Sequence, residues 1–291
     1  YIDGGSDNMK IGVITDSASN LDLSFINSHE NLIMTPLMIA YEGEFHRDII
    51  EVDYETVYKK LETTKVTTSL PSIEDFEKAI DTLEKSGCTD ILIITISSQL
   101  SGTYQAFEIA GKDHEGANLH FYDTKTLSAA EGDLVKVALD GIKQGRSIPR
   151  IIADLNQVRY EDSVALFTVE TLKYLRAGGR IGKVEGTIGD LLNVKPVITV
   201  SDEGVYETIT KGFGMKRTMV AMRKFLLEKF KDDLLEITIH YGNNLPKAEQ
   251  LKARLESGLN TKEVLISQLT PVLGIHTGPE MYAIIARRVK K

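Results

Sequence analysis

The residues best suited to chemistry lie in Ile94-Thr95-Ile96-Ser97-Ser98-Gln99-Leu100-Ser101-Gly102-Thr103, where an apolar, β-branched run empties into serines, a glycine and a threonine. A helical pattern through Tyr104, Phe107, Ile109 and Ala110 follows at once. A strand ending in small hydroxyl residues before a helix offers hydroxyls, free backbone N–H groups and the positive end of a helix dipole together. That combination receives an anion such as a carboxylate or phosphate. Taken alone, ordinary helix capping is the simpler account.

Other segments carry comparable groups. Thr67-Thr68-Ser69-Leu70-Pro71-Ser72 is a second hydroxyl-rich loop, leading into a helix with a capping box from Ser72 to Asp75; its plain reading is a turn fixed by Pro71. Asp16 and Asp123 close two further strands, as catalytic carboxylates or, more simply, as helix N-caps. Leu172 to Ile181 reads as a helix stopped by Gly178-Gly179 and followed by Arg180, an anion clamp or a partner for the last helix carbonyls. Leu273-Gly274-Ile275-His276-Thr277-Gly278-Pro279 places His276 in a Gly/Pro-bounded loop at a strand edge, with its side chain either aimed at a ligand or structural.

Familiar templates are missing. The sequence holds no GxGxxG, no GxxxxGK[ST] and no GxSxG, and its six His and one Cys lack metal-ligand spacing. No metal or cofactor is therefore expected. Serine loops together with His276 leave a Ser–His esterase or lipase open.

Positioning such loops requires alternating strands and helices, and the patterning supplies them. Ile11–Thr15, Leu32–Tyr41, Asp90–Ile96 and Asn118–Tyr122 read as strands, with helices opened by Asp53, Ser72, Gly102 and Ser147 and a long one through Leu134 to Ile142. Repeated βα units predict a parallel sheet covered by helices. Beyond about residue 160 the character changes: Ser163–Thr168 is a strand, Pro196–Val200 and Val205–Thr210 form a hairpin, and Lys216–Phe230 is an amphipathic helix. Strands at Leu234–His240, Glu263–Gln268 and Met281–Arg288 complete a mixed sheet. Two α/β domains are expected, 9–162 and 163–291, with the polar Gly-rich residues 1–8 set aside as an extraneous tail.

Composition narrows the function. The 291 residues are 42% hydrophobic and 26% charged, an ordinary soluble globular balance. A net charge of −8 with scattered Lys and Arg argues against nucleic acid, and so against a DNA-binding regulator. The lone Cys88 fits a reducing compartment, and no apolar run of about 18 residues or signal peptide is present, so a cytoplasmic protein is expected.

In order, Ile11-Gly12-Val13-Ile14-Thr15-Asp16-Ser17, Thr68-Ser69-Leu70-Pro71-Ser72, Ile96 to Thr103, Tyr174 to Ile181, Lys195-Pro196-Val197-Ile198 and His276-Thr277-Gly278-Pro279 resemble the DegV family of bacterial lipid-binding proteins, which includes the fatty-acid-binding subunits of fatty acid kinase. The resemblance spans Lys10 to the C-terminus. It implies two α/β domains with a long-chain fatty acid between them and no catalytic residues in this chain. The carboxylate would lie at Thr68, Ser69, Ser98, Ser101, Gly102 and His276, with Arg180 near the site. Lys211, Lys216 and Arg217 match a stretch facing an ATP-dependent kinase partner, and a transient peripheral membrane contact is compatible with the role. The chain departs from the family at Glu280 and at His240-Tyr241-Gly242-Asn243. Burying about 15 methylenes at roughly 0.8 kcal/mol each gives on the order of 12 kcal/mol before association costs, so the tail would supply affinity and the head group orientation.

Overall fold

The structure, a computed structural model, describes residues 9–186 and 193–289; the tail 1–8 lies outside the described residues. The N-terminal part contributes strands β1 (Ile11–Asp16), β2 (Leu32–Thr35), β3 (Met38–Tyr41), β4 (Glu44–Arg47), β5 (Thr67–Ser69), β6 (Asp90–Thr95) and β7 (Asn118–Asp123). Its helices are α1 (Leu23–Asn27), α2 (Tyr54–Thr63), α3 (Ile73–Lys85), α4 (Thr103–Gly111), α5 (Ser128–Lys143) and α6 (Ile148–Gln157). Strands β2-β1-β6-β7 form an all-parallel sheet. Every residue of β1 and β6 is buried, as a sheet covered on both faces requires. Val13, Leu92 and Ile94 pack with Leu134, Ala138 and Ile151 on one face, while Ile14, Ile91 and Ile93 meet Phe76, Leu83 and Phe107 on the other.

The run Leu32–Tyr41 is two strands rather than one. Pro36, which cannot donate to a ladder, separates β2 from β3, and β3 joins a small antiparallel sheet ordered β4-β3-β5. The loop expected at Thr67–Ser69 is the edge strand of that sheet, with Thr68 opposite Ile39.

From Ser163 onward come β8 (Ser163–Val169), α7 (Lys173–Ala177), β9 (Val194–Val200), β10 (Tyr206–Phe213), α8 (Gly214–Phe230), β11 (Leu235–Tyr241), α9 (Leu245–Gly258), β12 (Thr261–Gln268), α10 (Pro271–Thr277) and β13 (Met281–Arg288). The mixed sheet runs β10-β9-β8-β13-β11-β12, with β11 and β12 parallel and the other pairs antiparallel. Strand alternation divides its residues cleanly. Tyr282, Ile284 and Ala286 pack against α8 and α9, whereas Met281, Ala283 and Ile285 face the N-terminal part. The fold is thus α/β, parallel in its first part and mixed in its second.

The two parts meet closely at the β9–β10 turn. Ser97 Oγ donates to Gly204 O at 2.8 Å, and a Cβ on Gly204 would lie 2.2 Å from that oxygen. With φ at +89°, Gly204 is required by both backbone and space.

Candidate functional site

In a doubly wound sheet the ligand crevice opens beyond the strand ends where the order reverses, here between β1 and β6. The chain fills that crevice itself. Asp16 accepts the backbone N–H groups of Ala18 at 2.9 Å and Ile96 at 2.8 Å. Burial pushes its carboxyl up to about 6, and burial beside Asp16 drives Glu131 well above the carboxylate range. Glu131 lies beside Asp16 and accepts from Thr15 Oγ1 at 3.3 Å. Asp123 accepts from Ser98 N and Lys125 N and pairs with Lys125 Nζ at 2.9 Å. Both aspartates hold loops in place.

The open space lies further out, between the two parts. A cavity of about 280 Å³ is lined from one side by Leu37, Leu70, Ile96, Leu100 and Leu127, and from the other by Phe167, Val200, Leu273, Met281, Ala283 and Ile285. Its polar lining is Thr68, Ser69, Ser101, Ser128, Arg180, Tyr206, His276 and Thr277.

His276 is the centre of that polar set. It sits in the last turn of α10, not in a loop: Pro271 occupies the first turn and Gly278, at φ +78°, ends the helix. Its Nε2 lies 2.8 Å from Thr68 Oγ1. Its Nδ1 is buried without a partner among the described residues and faces Gly178, where a Cβ would stand 2.2 Å away. A buried lone pair is tolerated better than a buried unpaired N–H, so the proton is assigned to Nε2, which donates to Thr68 and frees the threonine proton to donate onward. Burial, and then the Arg180 charge, lower the imidazole to about 4, keeping it neutral near pH 7. Arg180 donates through Nε to Leu100 O at 3.3 Å and through Nη1 to Gly178 O. It bonds one carbonyl at the end of α7 and one in the β6–α4 loop, and also lines the cavity.

Five of the expected ligand residues, Thr68, Ser69, Ser101, Arg180 and His276, thus converge on one cavity. Ser98 and Gly102 are not among its lining residues. The Ser98 hydroxyl accepts from Lys125 Nζ at 3.2 Å, and Gly102 lies against Leu70. The hydroxyl of Ser101 pairs with Thr103 Oγ1 at 2.8 Å. Neither of these serines reaches His276, whose hydroxyl partner is Thr68, and its Nδ1 has no orienting group; the nucleophile–base–orienter arrangement of an esterase is not assembled by them. Lys211, Lys216 and Arg217 lie exposed at the end of β10 and the start of α8, beside Phe213, which is 57% exposed. Among the described residues no cluster suits a metal ion, and no helix is long and apolar enough to cross a membrane.

Sequence reasoning missed how Asp48 supports α10. This fully buried carboxylate accepts Val272 N at 3.0 Å, and burial pushes it up to about 7. His240, a departure from the family pattern, ties the two parts together by accepting from Ala129 N at 3.1 Å, while its Nδ1 lies 2.8 Å from Ser267 O within the second part.

Fold and site together define a class: an α/β protein with a parallel sheet in its first part, a mixed sheet in its second, and between them a mostly apolar cavity lined also by Thr68, His276 and Arg180. The chain belongs to the DegV family, whose profile, described as uncharacterised protein, DegV family, matches residues 10–288. It is 33% identical over 276 residues to a DegV domain-containing protein of Clostridium acetobutylicum, covering 95% of this chain and 98% of that protein. Among solved structures, it is similar to a fatty-acid-binding DegV family protein from Thermus thermophilus, with TM-score 0.89, 30% identity and coverage of 97% and 100% of the two chains. A fatty-acid-binding DegV family protein from Streptococcus agalactiae superposes with TM-score 0.87 at 27% identity, over 97% and 100% of the two chains.

Proposed function

We propose that this chain carries a long-chain fatty acid, with the tail in the apolar cavity and the carboxylate at Thr68, Ser69, Ser101, His276 and Arg180. The observation that carries this reading is the cavity's lining: mostly apolar walls, with Thr68 and His276 in contact and the Arg180 charge felt by that imidazole. A buried carboxylate needs donors, and Thr68, aimed by His276, supplies one with its proton free. Ser98 and Gly102 act at one remove, Ser98 by fixing Lys125 and Asp123 and Gly102 by seating Leu70. Similarity to fatty-acid-binding DegV proteins supports the same ligand.

The carrier presents its acid to a separate ATP-dependent kinase, feeding exogenous fatty acid towards phospholipid. A carboxylate oxygen attacks the γ-phosphorus of the nucleoside triphosphate held by that partner. The new O–P bond forms as the bridging Pγ–O bond breaks, and the nucleoside diphosphate leaves. The exposed Lys211, Lys216 and Arg217 are the partner-facing group, in a cytoplasmic protein that touches membrane only transiently. On this reading the chain divides into domains at 162/163, with the acid between them.

The test is the head group. Thr68→Val and His276→Ala each weaken binding of palmitic acid about tenfold, the usual worth of a hydrogen bond to a charged group. Displacement of a fluorescent fatty acid measures this, with circular dichroism checking the fold. Unchanged affinity in both variants overturns the head-group placement.

A further inference from the structure

Strands β8 and β9 pair only at Leu166 with Thr199 and at Phe167 with Ile198. Beyond Leu166 the ladder stops, and the Ala165 carbonyl accepts instead from Thr199 Oγ1 at 2.8 Å. A second cavity, of about 360 Å³, lies at this fork, with Arg159, Thr126 and Ser201 buried in its lining. Arg159 donates through Nε to Thr124 O at 3.0 Å and through Nη2 to Lys125 O at 2.7 Å and Ser201 O at 2.8 Å, tying the β7–α5 loop to the end of β9. Its Nη1 bonds no acceptor among the described residues. Further out, Lys183 and Lys229 stand with Asp202, Glu203 and Glu207, so the lining carries both signs of charge. Ala165 and Val200 line this space and the mostly apolar cavity alike. The β7–α5 connection completes the partition, with Leu127 and Ser128 on the apolar side and Thr126 and Ala130 on the polar side. The fork is remote from the head group. Helix α10 leads straight into β13, so Met281 is the first residue of that strand after His276 to line the apolar cavity. Ala165 pairs instead with Ile285, four residues beyond Met281 or about 13 Å along the strand.

We infer that the polar cavity at the β8–β9 fork receives a hydroxyl group carried at the ω end of the bound acid, so that the ligands of this chain include ω-hydroxy long-chain fatty acids. The inference rests on the carrier reading above. In a cavity closed by apolar side chains, an ω-hydroxyl would be buried unpaired, at a cost of about tenfold or more in affinity. Here the tail, starting from Thr68 and His276, ends against a partition where Ala165 contributes a single methyl group, with polar lining behind it. A hydroxyl both accepts and donates, which suits a lining of mixed sign: the free N–H groups of Arg159 on one hand, the carboxylates of Asp202, Glu203 and Glu207 on the other. A second carboxylate at the same place would meet those three acidic groups, and is disfavoured by like-charge repulsion.

The experiment compares palmitic acid, ω-hydroxypalmitic acid and the α,ω-diacid of the same length on the full chain, by displacement of a fluorescent fatty acid. The parent should bind ω-hydroxypalmitic acid within about threefold of palmitic acid, and the diacid about tenfold or more weaker than either. Ala165→Leu narrows the partition, and should lower the ratio of ω-hydroxypalmitic to palmitic affinity about tenfold, with circular dichroism confirming the fold. A parent that binds the ω-hydroxy acid about tenfold or more weaker than palmitic acid has a closed apolar end, and overturns the subsite. So does a ratio that a folded Ala165→Leu variant leaves unmoved. A diacid bound as tightly as the ω-hydroxy acid overturns the choice of a hydroxyl. The parent comparison stands by itself if the variant does not fold. Failure of palmitic acid to bind the parent chain refutes the carrier reading instead, and is read separately.

Discussion

Replacing Ala283 with Phe lowers affinity for palmitic acid about a hundredfold while leaving a ten-carbon acid nearly unaffected. Ala283 is 6% exposed on the cavity face of β13, between Met281 and Ile285, which point the same way. A phenyl ring there takes the room of several methylenes. Displacing about four of them, at roughly 0.8 kcal/mol each, removes about 3 kcal/mol of tail burial. A shorter acid has fewer methylenes to displace and more room in which to shift. The sheet tolerates the change because the ring grows into the cavity rather than into the α8–α9 face. Isothermal titration with the two acids separates the outcomes, and equal affinity for palmitic acid in parent and variant places the tail elsewhere.

The second large effect concerns stability. Asp48 is fully buried and its carboxyl is raised from 3.8 to about 7, chiefly by desolvation. Between those values the folded chain holds a proton that the unfolded chain releases, so the contribution of Asp48 falls as pH rises from about 4 to 7. By pH 8 that cost is on the order of 4 kcal/mol. Asn keeps an acceptor for Val272 N and carries no charge. Asp48→Asn is therefore expected to be near neutral at acid pH and stabilising by up to about 4 kcal/mol at pH 8, measured by denaturant unfolding at both values. The same difference from the parent at both pH values contradicts the account. His240 and His276 act in the opposite sense. Burial lowers both to about 4, so the unfolded chain gains protons that they refuse, and stability drops as pH falls from about 6.5 to 4. Subtracting the parent cancels that contribution.

How much of this was legible depended on whether the signal was local. The fully buried runs of β1 and β6, the Asp53 and Ser72 caps and the β9–β10 hairpin carry their patterns within a few residues, and each forms where expected. The edge strand β5 does not, because Thr67–Ser69 has no apolar alternation and is a strand only through pairing with β3. The helix bearing His276 was signalled by Pro271 and Gly278, but Gly274 in its middle disguised it. Within the site, Thr68 and His276 are 208 residues apart in the chain and meet only because the small sheet carrying β5 packs beside α10. Ser98 shows the converse: it is three residues from Ser101, yet a bond to Lys125, 27 residues on, holds its hydroxyl. Asp48 gave no signal, since its role depends on Val272 at the start of α10.

The central claim, that the space between the two sheets holds a fatty acid by its tail, has one direct test. Freshly purified protein is denatured and the released material is analysed by mass spectrometry, alongside the Ala283→Phe variant prepared identically. The account predicts near-stoichiometric long-chain fatty acid from the parent and a marked reduction or shorter chains from the variant. A parent that releases no lipid, and takes up none when palmitic acid is added, contradicts it.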